Sequence, residues 1–349
     1  MKKTTKIIFS LAIFCAVIFL LTIYFTRTNS NTKASDERLS ESTQSEYATF
    51  PLSIEYQRNQ SYPGSDFKIE KTLSEGSNYH QYVASYESDG LKIYGLLSVP
   101  TTEMPVGGYP AIIFNHGYIP PEEYQTTERY VAYFDGFARE GYVVFKPDYR
   151  GHGESEGKPE GAYFSPAYMT DVLNALSSVE NMKEVNKEKI GMWGHSLGGF
   201  LTLRALVISQ DIKAAVIWGG VVGSYKEMSD DWWAKRTVPS FTPSQRELQS
   251  NRPSRQSFTK QYGNPSDNEF WNAISATTYA DDITTPIQLH HGLADETVPP
   301  TLSKRLYDRL ISKGKAVELY NYENSDHNIS QGFGLAMNRS VAFFAKYLK

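Results

Sequence analysis

Residues 189–199 read Lys189-Ile190-Gly191-Met192-Trp193-Gly194-His195-Ser196-Leu197-Gly198-Gly199. An apolar strand pattern ends at Trp193, a helical pattern begins at Leu197, and G-x-S-x-G with one further glycine lies between them. Alone, that short string is common. Between a strand and a helix it describes a sharp turn with a serine at its tip, the setting of a nucleophile elbow. Such a turn strains the serine backbone, and its neighbours must lack side chains to clear the adjacent strand and helix. Ser196 is therefore the candidate nucleophile. The alternative is an ordinary serine in a tight strand-to-helix turn.

Around this stretch the chain alternates two patterns. Tyr82-Val83-Ala84-Ser85-Tyr86 and Leu91-Lys92-Ile93-Tyr94-Gly95-Leu96-Leu97 flank Ser88-Asp89-Gly90 and predict a hairpin closed by an Asp-Gly turn. Nearly continuous apolar runs follow at 111–114, 142–145, 189–193, 214–218, 287–290 and 316–320, as expected of strands buried on both faces. Helical patterns occupy 128–140, 166–182, 197–209, 302–312 and 333–348. This order predicts an α/β fold, with a mostly parallel central sheet flanked by helices and a site at the carboxyl ends of the strands. The alternation breaks at about 223–283, a stretch containing Trp232 and Trp233, which reads as a cap insertion over that site.

A serine hydroxyl needs a base within hydrogen-bond reach. Of the seven histidines, His327 lies in Asn324-Ser325-Asp326-His327-Asn328, a polar loop between the last strand pattern and the final helix. That position suits the chain order serine, acid, histidine. The acid should follow an intermediate strand, and Gly292-Leu293-Ala294-Asp295-Glu296-Thr297-Val298-Pro299 does so. Asp295 is the best placed to orient the histidine ring, with Glu296 and Asp326 as alternatives. Oxyanion stabilisation would come from the backbone N–H groups of Leu197 and of Tyr118, which follows Asn115-His116-Gly117 after an early strand. His116, His195, Trp232 and Trp233 are candidates for the substrate pocket. The segment 148–155 reads as a structural turn in which Arg150 pairs with a carboxylate.

Together, Asn115-His116-Gly117, Asp148-Tyr149-Arg150-Gly151-His152-Gly153-Glu154-Ser155, Gly194-His195-Ser196-Leu197-Gly198-Gly199, 291–299 and Asp326-His327 resemble one family in particular. They are similar to the catalytic domain of the prolyl oligopeptidase family and to dienelactone-hydrolase-like esterases of the α/β-hydrolase superfamily. The resemblance covers about 82–349 and implies a serine hydrolase with Ser196, Asp295 and His327 as its triad, without metal or organic cofactor. Fewer than 60 residues separate the N-terminal segments from the first hairpin, too few for the β-propeller of the larger relatives. Ester hydrolysis and cleavage of short peptides both stay open, as do acyl transfer to another acceptor and, in a different class, a catalytically inactive binding protein on this fold.

Ahead of this body, Lys2, Lys3 and Lys6 precede an uncharged run over 7–25 whose nineteen residues would span about 28 Å as a helix. The run exceeds a usual signal-peptide core and no small-x-small site follows it, so 1–26 is expected to be an uncleaved signal anchor. The lysines before it outnumber Arg27 just after it, which puts the catalytic body outside the cytoplasm; cleavage would instead release it. Ser, Thr, Asn and charge fill 27–50 without periodicity, as in a flexible linker, and 51–349 is the catalytic domain. The only cysteine, Cys15, lies within the apolar run, so the body has no disulfide. A net charge of -4 with interspersed signs gives no electrostatic footprint for nucleic acid.

Overall fold

The computed structural model describes residues 47–234, 253–265 and 268–349. The expected signal anchor and most of the linker lie outside the described residues. From Phe50 onward the described residues form one compact unit.

Among the described residues, nine strands build a single sheet: β1 (Lys68–Thr72), β2 (Tyr79–Ser88), β3 (Leu91–Pro100), β4 (Tyr109–Asn115), β5 (Val143–Pro147), β6 (Val185–His195), β7 (Ala214–Trp218), β8 (Ile287–Gly292) and β9 (Val317–Tyr322). Their spatial order is β1-β2-β3-β5-β4-β6-β7-β8-β9. The first four in space are antiparallel neighbours, and β5 onward are parallel. Asp89 and Gly90 close the β2–β3 hairpin with φ of 51° and 72°, the left-handed pair that a two-residue hairpin turn requires. The chain leaves β4 toward β5 and returns on the other side to β6. Connections therefore diverge at the carboxyl ends of β4 and β6, which opens the crevice where doubly wound sheets bind ligands. Asn115 at the end of β4 is in register with Gly194 near the end of β6.

The helices are α1 (Ile54–Arg58), α2 (Val131–Ala138), α3 (Ala167–Glu180), α4 (Leu197–Ile208), α5 (Tyr225–Met228), α6 (Arg255–Tyr262), α7 (Glu269–Ile274), α8 (Pro300–Ser312) and α9 (Phe333–Leu348). One face of the sheet presents Phe114, Val144, Trp193 and Trp218 to Phe134 and Phe137 of α2 and to Phe343 and Phe344 of α9. Phe114 stacks on Trp193 with ring centroids 4.2 Å apart, beneath the residues that follow β4 and β6. Side chains alternate along a strand, so the other face is left for α3 and α4, which pack against each other. Helix α4 is buried nearly all round. Its Arg204 is buried too and donates to the side-chain oxygen of Gln57 at 2.8 Å, to the carbonyl of Ile274 at 2.7 Å and to that of Leu52. This clamp makes the segment around α1 an integral part of the body.

Between β7 and β8 the described residues are helical: α5, a π-helical turn over Ser229–Trp233, α6, α7 and a 3-10 stretch over Ala276–Asp282. Strand β1 was not evident in the sequence, because Lys68-Ile69-Glu70-Lys71-Thr72 is mostly exposed and carries no apolar alternation.

Candidate active site

Ser196 sits between β6 and α4 with φ 56° and ψ -117°, a conformation costly for a residue with a side chain. The turn is held from both sides. The Ser196 N–H donates to the carbonyl of Trp218 at 3.0 Å, and its own carbonyl accepts from Val221 at 3.1 Å. Glycine is obligatory beside it: a Cβ on Gly198 would lie 1.9 Å from the carbonyl oxygen of Asn115, a backbone atom that cannot swing away. Ser196 is half-buried while its flanking residues are buried. Leu197 opens α4, so its N–H is among the first-turn donors that no helical carbonyl can reach.

His327 lies in the loop after β9, and its Nδ1 is 2.7 Å from Oδ2 of Asp295 in the loop after β8. The two loops are stitched together. The N–H of Ala294 donates to the carbonyl of Ser325 at 3.0 Å, and a Cβ on Gly292 would meet the carbonyls of Ser325 and Asp326 at 2.3 Å. Asp295 also receives the N–H groups of Thr297 at 2.8 Å and Val298 at 2.9 Å on Oδ1. Burial alone would raise its pKa; hydrogen bonds from His291 and His327, with the Val298 N–H, outweigh that and hold it well below the usual carboxylate range. Asp326 instead accepts from the N–H and hydroxyl of Ser330, and Glu296 is exposed.

Tyr118 follows Gly117 in the loop after β4 and is 58% exposed. The four pocket candidates are placed differently from one another. His116 is 1% exposed, its ring stacked between Tyr124 at 4.8 Å and Tyr149 at 4.3 Å. His195 is 2% exposed and held between Tyr130 and the carbonyl of His327. Neither ring forms an open pocket wall; both stand behind the loops that carry the site. Trp232 is buried, and its Nε1–H donates to the carbonyl of Thr297 at 2.6 Å, which fastens the π-helical turn to the Asp295 loop. Trp233 is half-buried and stacks on Trp232 at 6.1 Å.

Arg150 forms a buried pair with Asp171, 2.7 Å from Nη2 to Oδ1, and reaches Asp89 at 3.1 Å. Next to it, burial pushes the Asp148 carboxyl up to about 6 and the Lys146 ammonium down to about 8. Asp148 is satisfied by the hydroxyls of Tyr124 and Thr126. The segment 148–155 thus braces the loop after β4 from below.

Two contributors escaped the sequence reading. His291 gives Asp295 a second imidazole contact at 3.1 Å, and Tyr130 touches both Gly117 and His195. His291 had a visible signal, ending the strand before the acid. Tyr130 had none, because its role depends on a contact across 65 residues of chain.

A mostly parallel sheet with this switch point, a strained serine at its carboxyl edge and an acid–histidine pair beside it define a serine hydrolase of the α/β-hydrolase superfamily. The family model described as serine aminopeptidase, S33 matches residues 110–330, and the chain belongs to that family. Among curated relatives, the Bacillus subtilis (strain 168) protein named uncharacterized peptidase YtmA is 28% identical over 252 residues, covering 70% of this chain and 85% of the relative. Among solved structures, an acetyl xylan esterase from Paenibacillus sp. R4 superposes with a TM-score of 0.62 at 19% identity, over 84% of this chain and 92% of that one. Pyrococcus horikoshii acylaminoacyl peptidase gives 0.59 at 22% identity, over 78% of this chain and 42% of that one. Both structural likenesses speak for the fold.

Proposed function

We propose that the protein hydrolyses a carboxylic ester, or a small amide or short peptide, through an acyl-enzyme on Ser196. The observation that carries this is the 2.7 Å contact between Asp295 Oδ2 and His327 Nδ1 beside a serine held at an elbow. With Nδ1–H committed to the carboxylate, the free lone pair of His327 is on Nε2, the nitrogen that can take a proton from the Ser196 hydroxyl. Serine Oγ then attacks the substrate carbonyl. The N–H groups of Leu197 and Tyr118 receive the negative charge on its oxygen. Collapse expels an alcohol or amine that takes the proton from His327, and water repeats the sequence to release the acid. No step calls for a metal or an organic cofactor.

The family description and the name of the Bacillus relative favour an amide or peptide bond, whereas the acetyl xylan esterase likeness keeps esters equally in view. The described residues between β7 and β8 act as a cap, fastened by Trp232 to the acid loop, and Trp233 borders the substrate. The proposal includes a signal anchor over 1–26, a linker to about residue 50 and an extracytoplasmic catalytic domain, supported by the lysines and apolar run of the N-terminal sequence.

Acid quenching during turnover of a p-nitrophenyl ester should leave an acyl group on the peptide containing Ser196, detected by mass. Parallel assays with aminoacyl and peptidyl anilides identify the preferred bond. Ester turnover that persists undiminished in Ser196→Ala would rule the Ser196 acyl-enzyme out.

A further inference from the structure

Tyr130 and the residue before it, Arg129, both lie in the left-handed region at φ 53° and 56°. Residues with side chains rarely adopt that conformation, so the structure holds a strained pair immediately ahead of α2. The strain places one hydroxyl. Tyr130 Oη accepts the N–H of Gly117 at 2.9 Å and lies 2.7 Å from Nδ1 of His195. On the other side of that ring, His195 Nε2 lies 3.0 Å from the carbonyl oxygen of His327.

The chemistry of these partners fixes the protons. A carbonyl oxygen only accepts, so His195 Nε2 carries the hydrogen. In a neutral ring Nδ1 then accepts, and the Tyr130 hydroxyl donates to it. Burial, with the neighbouring His327 adding to it, pushes the His195 ring down to about 3, which keeps it neutral. One unbranched chain of hydrogen bonds therefore runs from Gly117 N–H through Tyr130 and His195 to the backbone of His327. Its members converge at the nucleophile: a Cβ on Gly117 would lie 2.5 Å from Tyr130 Oη, 3.2 Å from His195 Nδ1 and 3.2 Å from Ser196 Cβ. The rings of His195 and His327 are 4.6 Å apart.

We propose that Tyr130 and His195 form a positioning relay that sets the oxyanion loop at Gly117–Tyr118 and the base loop at His327 in fixed relation to each other. Neither residue touches substrate. Tyr130 keeps the amide at Gly117 turned inward, which aims the next amide, that of Tyr118, outward to the crevice. His195 holds the backbone from which the His327 ring projects. The inference rests on the reading of Ser196 as nucleophile and of Tyr118 as an oxyanion donor.

The test uses the full chain, with kcat and KM for an activated ester and the rate of inactivation by a fluorophosphonate. Tyr130→Phe keeps the ring, which packs edge-on against Phe114 and Trp193, and removes only the hydroxyl. It should lower kcat and the inactivation rate about tenfold or more while KM stays within about twofold. His195→Gln retains a donor for the His327 carbonyl but offers no acceptor in place of Nδ1, so it should lower kcat by a factor comparable to Tyr130→Phe, and an unchanged kcat would count against the relay. The double variant should be no slower than Tyr130→Phe alone, because both changes break one chain. A Tyr130→Phe enzyme with unchanged kcat, a change confined to KM, or multiplicative losses in the double variant would each overturn the relay. Wild-type protein that resists the fluorophosphonate altogether would defeat the nucleophile reading, and the relay with it.

Discussion

The carboxylate of Asp295 is shared between two histidines: Oδ2 lies 3.1 Å from His291 Nε2 as well as 2.7 Å from His327 Nδ1. His291 Nε2 also lies 3.0 Å from the carbonyl of Val298, an acceptor only, so this nitrogen carries a hydrogen divided between the two oxygens. Its Nδ1 faces the Ser303 hydroxyl at 2.7 Å. With the two amides on Oδ1, the carboxylate accepts four hydrogen bonds and has no freedom to rotate.

Loss of that support should appear as lost activity and lost stability together. His291→Leu is expected to lower kcat about tenfold and unfolding free energy by about 2 kcal/mol, since it strands buried partners. Asp295→Asn should cost about 10³ to 10⁴ in kcat by favouring the wrong His327 tautomer. Steady-state kinetics with urea titration separates the two variants. An active Asp295→Asn enzyme would remove Asp295 from its proposed role.

The elbow tolerates no side chain at Gly198. Gly198→Ala would drive a methyl carbon to within 1.9 Å of the Asn115 carbonyl oxygen, so β4 or α4 must shift. The expected outcome is about 3 kcal/mol of destabilisation or insoluble protein. Gly314→Ala gives a control: a Cβ there has open space, but φ 67° makes it modestly unfavourable, by about 1 kcal/mol. Comparable melting temperatures for both variants would contradict the tight contact at the elbow.

Arg150 and Asp171 form a buried ion pair that braces the hairpin against α3. Removing one partner leaves a buried charge, so Asp171→Ala should destabilise by about 3–5 kcal/mol. Urea unfolding of Asp171→Ala beside wild type measures this. A loss under about 1 kcal/mol would mean the pair is solvated in solution.

Acid should unfold the protein in a window set by buried histidines. Burial pushes His195 and His290 down to about 3, and pushes His116 well below its ordinary value. The unfolded chain binds these protons near pH 6.5 while the folded one refuses them. Stability is thus complete above about pH 6.5 and falls as pH drops toward 3, by up to about 1.4 kcal/mol per pH unit for each histidine. Asp295 acts in the carboxylate sense: its lowered pKa contributes stability present above about pH 3.9 and lost below it. Unfolding free energies at pH 7, 5.5 and 4.5 should decline steadily, and a flat profile would contradict neutral buried imidazoles.

Most of the fold was legible because its periodicities are strong. Continuous apolar strands, amphipathic helices and the steric demand for glycine around Ser196 are local properties. The pairing of Asp295 with His327 was legible through chain order, and Asp295 could be chosen over its neighbours only by its position after a strand. Beyond the Asp295–His327 pair and a carboxylate partner for Arg150, side-chain partnerships were not legible. His116 and His195 read as pocket residues because a polar ring beside a nucleophile suggests contact with substrate, yet stacking on Tyr124 and Tyr149 and bonding to Tyr130 bury them. Arg204 offered an overlooked clue: a lone cation within an otherwise apolar helix must find acceptors, and it finds them in the segment just after residue 50.

The proposed hydrolysis depends on an activated Ser196 supported by His327 and Asp295. Its most direct test is labelling of the full chain with a fluorophosphonate probe, with the modified residue read by mass spectrometry and Ser196→Ala and His327→Ala as controls. Labelling confined to Ser196, abolished in the first variant and slowed by at least about 10³-fold in the second, is the predicted result. Folded wild-type protein that stays unlabelled, or reacts equally well without His327, would contradict the account.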